Sequence, residues 1–289
     1  MPSALDTARP RQPHAALLAI GTANPAKCGG AGGVLDWYFR VNQRDHLADL
    51  KAKMKRMCDE SAIKKRHFYH TEEMIAGHPE FIDRALPALD ARLGIANDTV
   101  PELAMAAAAR AIAEWGRPAA DITHLVVATN AGAHAPGADA RVESLLGLRA
   151  TVERTVLYMH GCSPSCGALR LAKDIAENNR GTRVLVACAE VTLPGRAFDM
   201  LVFMALFGAG AGAVVVGADP RTRVEHPIFH MVSTSQAIIP GTDERVSLLL
   251  GERGLDCKIS GAVPALVRAG VERCLLDALT PLGLGASAG

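Results

Sequence analysis

The chain has 289 residues, enough for one large or two ordinary domains, and 49% of them are hydrophobic, which is ample for a buried core. Its 31 Lys and Arg residues nearly balance its 30 Asp and Glu residues, and aromatic residues make up only 4%. This balance argues against a surface for nucleic acid or for an anionic membrane, because both need an excess of positive charge.

The first residues of the chain lack the apolar core and cleavage site of a secretory signal, and no apolar run is long enough to span a bilayer. The seven Cys residues are scattered rather than arranged as a disulfide framework. We therefore expect a cytoplasmic protein with reduced thiols and without a membrane span.

Two features that could suggest a bound metal or phosphate lack the required spacing. Cys162 and Cys166 lie four residues apart, but no second Cys or His pair has zinc spacing. The glycine-rich run CGGAGGV at 28–34 fits neither the Walker nor the dinucleotide pattern. We expect a loop there, no metal site and no resident cofactor.

The first half of the chain alternates apolar strands with helical segments. Residues 1–13 are polar and proline-bearing, which predicts a loose tail, and HAALLAIGTANP (14–25) predicts a buried strand. Residues 35–75 are mainly helical by pattern, and residues 101–116 form an Ala-rich helix. ITHLVVATN (122–130) is the next buried strand.

The central stretch, residues 151–192, predicts a strand, a sharp turn, a helix and a second strand. TVLY is β-branched and aromatic, and Leu169, Ala172 and Ile175 share one helix face. RVLVAC is nearly all apolar, as in a strand that is buried in a parallel sheet. After it, residues 193–220 predict a helix followed by an apolar, small-residue strand.

Cys162 lies at the turn between the first of these strands and the helix. Gly161 permits a tight turn, and Pro164 suits the first helical turn, where its missing N–H would have no partner. Free N–H groups and the positive end of a helix dipole favour the thiolate, which is the nucleophilic form. From the residues alone, Cys162 is equally well interpreted as a half-buried core cysteine.

A longer match favours the nucleophile. HGCSPSCGALRLAKDIAENNRGTRVLVACAEVT resembles the nucleophile segment of the plant type III polyketide synthases, the chalcone and stilbene synthase family, with no gap between Cys162 and Arg170. The resemblance makes Cys162 the counterpart of the acyl-accepting cysteine. It implies an acyltransferase that loads an acyl-CoA starter and condenses it with malonyl-CoA, with both thioesters as substrates rather than cofactors. It also implies a homodimer.

The same resemblance assigns further roles. Lys53 and Arg56 match two basic residues that bind the phosphates of coenzyme A, although a solvated helix face is the more common explanation of such a basic cluster. Glu60 is an acid at the third such position. Phe207 is the counterpart of the first gatekeeper phenylalanine, within a segment that is shorter than in the family.

Several pocket positions depart from the family pattern. Its Thr-Ser pair is Asn130-Ala131 in this chain, and its cavity-lining methionine is Ala135. A glycine of the elongation pocket becomes Leu248, which should leave less room for a growing chain. The second gatekeeper becomes Cys257, and Ala209 replaces an acidic residue.

The resemblance implies a thiolase-like α/β fold of two βαβ-rich halves, the first at 14–219 and the second, 220–289, incomplete. The family's catalytic His and Asn fall in segments without a counterpart here, and none of the ten His residues follows a matching motif. We therefore expect either an acyltransferase of this family or a truncated, inactive member that pairs with a full-length relative. A thiol enzyme that uses Cys162 with Cys166 is a third hypothesis.

Overall fold

The computed structural model describes residues 14–83, 85–193, 206–252 and 254–284. The predicted tail, residues 1–13, lies outside the described residues. So does most of the helix that the sequence predicts between residue 193 and Phe207. None of the described helices has the length and apolarity needed to cross a membrane.

The described residues form an α/β fold whose elements alternate in chain order. The strands are β1 Ala16–Ala23, β2 Cys28–Gly30, β3 Lys65–His67, β4 His124–Thr129, β5 Glu153–Tyr158, β6 Val184–Glu190, β7 Gly210–Gly217, β8 Phe229–His230, β9 Val246–Gly251 and β10 Gly254–Ile259. The helices are α1 Ala31–Val41, α2 Ala48–Glu60, α3 Glu72–Gly77, α4 Leu89–Trp115, α5 Ala138–Leu146, α6 Pro164–Asn178 and α7 Val263–Leu279, the last within the C-terminal described range.

Six strands form the central sheet in the order β5-β4-β6-β7-β1-β8. Strands β5, β4 and β6 are mutually parallel, and β7 is antiparallel to both β6 and β1. The carboxyl ends of the three parallel strands therefore lie at one edge of the sheet, which is where ligands bind in open α/β sheets. The structure confirms the predicted strands at 14–25 and 122–130 and the two strands on either side of Cys162. The prediction of a parallel sheet is confirmed for β4, β5 and β6.

Helix α4 covers one face of the sheet through a stripe of alanines. Ala104, Ala107 and Ala111 have no exposed surface, and they belong to a core that includes residues of β1, β4, β6 and β7. The small side chains let the helix backbone lie very close to β1. The helix begins about three turns before the predicted start, so that Pro101 lies inside it and is buried.

Helix α6 covers the opposite face and completes a three-layer arrangement. Its buried residues include Ala168, Ala172 and Ala176, which pack with valines of β4, β6 and β7. The predicted face of Leu169, Ala172 and Ile175 is therefore only partly right, since both larger side chains remain half-buried. A helix that lies close to a sheet places small residues at the line of contact and larger ones on its flanks.

The glycine-rich run at 28–34 does not form the predicted loop. Its first three residues pair with β3 as a two-stranded ribbon, and Ala31 begins α1. Gly29 lies against the Val34 side chain, where a Cβ atom would approach to 2.6 Å. The predicted helical stretch at 35–75 contains α1, α2 and α3, interrupted by this short strand. Pairing with a distant strand overrides the local preference of the glycines.

A buried ion pair joins the segment that follows β7 to the residue just before β6. Arg183 and Glu225 lie 2.5 Å apart between Nη2 and Oε2, and both are almost fully buried. Trp115 donates its indole N–H to Glu225 at 3.0 Å. Burial raises the pKa of Glu225, but the hydrogen bonds from Arg183 and from the Arg221 backbone outweigh it and hold the pKa at about 2. Removing one partner of such a pair typically costs ~3–5 kcal/mol.

The residues after 220 contribute a hairpin, β9–β10, and helix α7. The hairpin contacts the start of α4 through the Glu252 carbonyl, which accepts hydrogen bonds from the backbone N–H groups of Ala88 and Leu89. This contact brings β9 over the carboxyl edge of the central sheet. The division into units at 14–219 and 220–289 remains a prediction.

The close approach of β1 and α4 gives a stability prediction. A Cβ atom on Gly21 would lie 2.2 Å from the Ala107 carbonyl oxygen and 2.4 Å from the Ala111 nitrogen, and backbone atoms cannot turn aside. We expect Gly21→Ala to lower the free energy of unfolding by about 1–3 kcal/mol or more, measured by urea denaturation.

Gly94→Ala is the matched control. Gly94 lies in α4, the helix that Gly21 contacts, and a Cβ atom on Gly94 would have no neighbouring atom within 4 Å. It should raise the free energy of unfolding by ~0.5–1 kcal/mol, the usual gain of Ala over Gly in a helix. Equal effects of the two substitutions would contradict the close contact.

Candidate active site

A sharp turn joins β5 to α6 and carries Cys162. Strand β5 ends at Tyr158, and the next residue, Met159, has a positive φ of 55°. Gly161 has a φ of 70°, and α6 begins at Pro164. A Cβ atom on Gly161 would have no neighbouring atom within 4 Å, so the backbone conformation rather than lack of space explains the glycine.

The turn presents Cys162 in an exposed position before the first turn of α6. A helix N-terminus carries unpaired N–H groups and the positive end of the helix dipole, and both favour a thiolate. The alternative interpretation of Cys162 as a half-buried core cysteine is therefore wrong, because its side chain is exposed. The arrangement of strand, turn, Cys162 and helix is the one that the sequence predicts for a nucleophile.

Cys162 opens into a cavity of about 450 Å³ at the carboxyl edge of the sheet. Most of the wall is apolar, and it is drawn from the start of α4, the end of β6 and its continuation, the start of β7, and β9. Its larger apolar side chains are Leu89, Leu93, Val191, Leu193, Leu248 and Leu250. A mostly apolar cavity with a few polar groups is typical of a site for a small organic molecule.

Phe207 lines the same cavity and is 37% exposed. Its backbone carbonyl accepts a hydrogen bond from the Arg66 guanidinium, and the Ala209 N–H donates to the His67 carbonyl at 2.8 Å. Strand β3 therefore fixes the backbone on both sides of Gly208. The structure brings Phe207 and Cys162 to one cavity, and the gating role of Phe207 remains a prediction.

Strand β9 contributes the position that the sequence marks as a departure in the elongation pocket. Leu248 lines the cavity, so its side chain occupies space that a glycine would leave open. Cys257 pairs with Leu248 in the hairpin and is fully buried, and it is not among the described residues that line the cavity.

The proposed coenzyme A residues lie elsewhere. Lys53 and Arg56 are exposed on α2, Glu60 is exposed at the end of the same helix, and none of the three lines the cavity that the described residues enclose. Their spacing places them along one side of the helix. Their role in binding coenzyme A stays a prediction.

Two polar residues in the cavity wall form a hydrogen-bonded pair, and only Asn130 of the two is among the positions where the sequence departs from the family pattern. Asn130 follows β4 directly, and Glu190 is the last residue of β6. The Asn130 backbone N–H and side-chain Nδ2 each donate to Glu190 Oε1 at 2.8 Å. Burial raises the pKa of Glu190 to about 7, although the two hydrogen bonds from Asn130 lower it. An acid that ends a buried strand is the sequence signal that points to this carboxyl.

A second thiol lies in the cavity wall beside Glu190. Burial is the main cause that raises the pKa of Cys188 to about 11, with further contributions from Glu190 and Cys166. Cys188 is therefore protonated at neutral pH and is a poor nucleophile. Cys166 is exposed in the first turn of α6. Within the described ranges, no group of three or more His, Cys, Asp or Glu residues could hold a metal ion.

Comparisons with known proteins agree with this geometry. Residues 4–220 match the N-terminal domain of the chalcone and stilbene synthases. Over 281 residues the chain is 56% identical to the bisdemethoxycurcumin synthase of Oryza sativa subsp. japonica, an alignment that covers 95% of this chain and 69% of that protein.

The sheet, its two covering helices and the cysteine-bearing turn define a thiolase-like α/β protein. The chain belongs to the chalcone and stilbene synthase family, that is, to the type III polyketide synthases, which are transferases. The predicted fold class and family are confirmed.

The ionisation of Glu190 gives a prediction about stability and pH. Its pKa is about 7 in the folded chain and about 4.5 in the unfolded chain. At a pH between these two values, the folded state therefore binds more protons than the unfolded state. The contribution of Glu190 to stability therefore falls as the pH rises from about 4.5 to about 7, and it is constant above that. Glu190→Gln should gain stability over wild type on the order of 2–3 kcal/mol between pH 5 and pH 8.

Urea denaturation of both proteins across this range measures the difference. Glu244→Gln is the control, because it makes the same substitution at an exposed position. A Glu190→Gln difference that stays flat between pH 5 and pH 8 would show that Glu190 is ionised throughout.

Proposed function

We propose that this chain takes an acyl group from an acyl-CoA starter onto Cys162 and condenses it with malonyl-CoA. The observation that carries the proposal is the exposed Cys162 at the start of α6, opening into a mostly apolar cavity. Membership of the type III polyketide synthase family supports the same chemistry. Both thioesters enter as substrates, and the proposal needs no resident cofactor.

The loading step is a thioester exchange. The Cys162 thiolate attacks the thioester carbonyl carbon, a new carbon–sulfur bond forms, and coenzyme A leaves as its thiolate. The thiol proton is released to the medium when the thiolate forms, so the atoms and charges balance. The α6 N-terminus lowers the cost of the negative charge on sulfur before the attack.

The cavity supports an apolar acyl group. Leucine and valine side chains make up much of its wall, and Phe207 adds an aromatic ring. Leu248 takes up room at one side, which favours few extension steps over many. The rice relative is named for bisdemethoxycurcumin, and this product is the first one to test for in this chain.

Three finer points belong to the same proposal. Lys53 and Arg56 bind the phosphates of coenzyme A from the exposed side of α2. The protein works as a homodimer, as the resemblance implies, or pairs with a longer relative. It works in the cytosol, where its thiols stay reduced.

Intact-mass spectrometry after incubation with p-coumaroyl-CoA tests the loading step. We expect one acyl adduct on the wild-type chain and none on Cys162→Ala, because the adduct forms on this sulfur. Cys166→Ala is the matched control, since it removes another exposed thiol, four residues further along in the first turn of α6, and it should still form the adduct. Product that is released after subsequent addition of malonyl-CoA would show that the chain also carries out the condensation step.

The outcomes separate the hypotheses that the sequence leaves open. An adduct that is lost in both cysteine variants would favour a site that uses Cys162 together with Cys166. Folded wild-type chain without any adduct would contradict the proposal and leave a non-catalytic member of the family.

A further inference from the structure

Asn130 makes a two-point contact with the turn that carries Cys162. Its side-chain Nδ2 donates to the Gly161 carbonyl at 2.7 Å, and its Oδ1 accepts from the Gly161 N–H at 2.9 Å. One planar amide thus satisfies both backbone groups of the residue that immediately precedes the cysteine. Such a paired contact fixes the position and the orientation of the peptide at once.

Glu190 holds Asn130 in this orientation. Its Oε1 accepts from both the backbone N–H and the side-chain Nδ2 of Asn130, each at 2.8 Å. Because a carboxylate oxygen accepts and an amide oxygen cannot donate, the contact requires Nδ2 on the Glu190 side. The Asn130 side chain is therefore locked in the direction that the Gly161 contact needs.

The strand order explains how the three residues meet. Strand β4 lies between β5 and β6, so Asn130 after β4 lies between the turn that follows β5 and Glu190 at the end of β6. Among the described residues, few other side-chain hydrogen bonds hold the turn in place. Ser163 makes no side-chain cap on α6, and its hydroxyl donates to the His160 carbonyl at a long 3.4 Å.

We propose that Asn130, oriented by Glu190, is a positioning residue that fixes the backbone on both sides of the Gly161 Cα and thereby places the Cys162 thiol at the α6 N-terminus. The inference rests on the proposed function only in that Cys162 is the acyl acceptor.

The rate at which iodoacetamide alkylates Cys162 tests the proposal, followed residue by residue through peptide mass mapping. Asn130→Ala frees the turn, so we expect a roughly three- to ten-fold slower alkylation of Cys162, on the order of the effect of a helix N-terminus. Cys166, exposed on the same helix, is the internal reference and should keep its rate. Asn179→Ala is the matched control, since it removes an amide contact to the Ile175 carbonyl at the other end of α6, and it should change neither rate.

Glu190 provides a rescue test. Glu190→Ala leaves Asn130 without its orienting acceptor and should slow Cys162 in the same way as Asn130→Ala. Glu190→Gln keeps an oxygen that can accept from Asn130, so it should recover most of the rate that Glu190→Ala loses. Glu190→Leu fills similar space but offers no acceptor, so it should slow Cys162 as Glu190→Ala does, and a rate near wild type in this variant would indicate packing instead of the hydrogen bond.

Two results would overturn the proposal. One is an unchanged Cys162 rate in folded Asn130→Ala. The other is an equal fall for Cys162 and Cys166, which would indicate general loosening of α6. The assay needs no acyl-CoA, so a chain that fails to load a starter but shows the Asn130 effect would contradict the proposed function and leave this inference standing.

Discussion

The contact between α4 and the central sheet is the constraint on which the rest of the molecule depends. The backbone of β1 at Gly21 approaches the backbone of α4 so closely that no side chain fits between them. This approach requires the buried alanines of the helix, and it buries one whole face of the sheet. It also sets where the first turns of α4 end up, so that Leu89 and Leu93 can form part of the cavity wall.

The two ends of β6 show opposite uses of buried charge. Beside its amino end, Arg183 and Glu225 satisfy each other together with Trp115 and nearby carbonyl groups, so the charges are paired and stabilise the fold. At its carboxyl end, Glu190 accepts its hydrogen bonds from the neutral Asn130 rather than from a cation, and its pKa lies near neutrality. A carboxyl of this kind costs stability when it ionises, and such groups cluster at functional sites.

The site combines residues from strands that are distant in the chain but adjacent in the sheet. Parallel pairing of β5, β4 and β6 brings a turn, an amide and a carboxyl to one edge. The hairpin of the later residues then closes the cavity over that edge, because Glu252 bonds to the start of α4. The exposed thiol, the hydrogen-bonded amide and the apolar wall therefore come from separate stretches of sequence, and only the packing of the sheet brings them to one cavity.

The sequence by itself determined the α/β class, the central strand–turn–helix–strand unit, the place of Cys162 in it and the family. These features depend on local patterns, namely periodicity, turn residues and one long contiguous resemblance. Only the tertiary structure decided which face of α6 is buried, that the run at 28–34 pairs as a strand, and that Asn130 and Glu190 join the turn. Those outcomes depend on contacts between residues far apart in the chain, such as Asn130 and Gly161, whose sequence separation is 31 residues. No local pattern encodes such contacts.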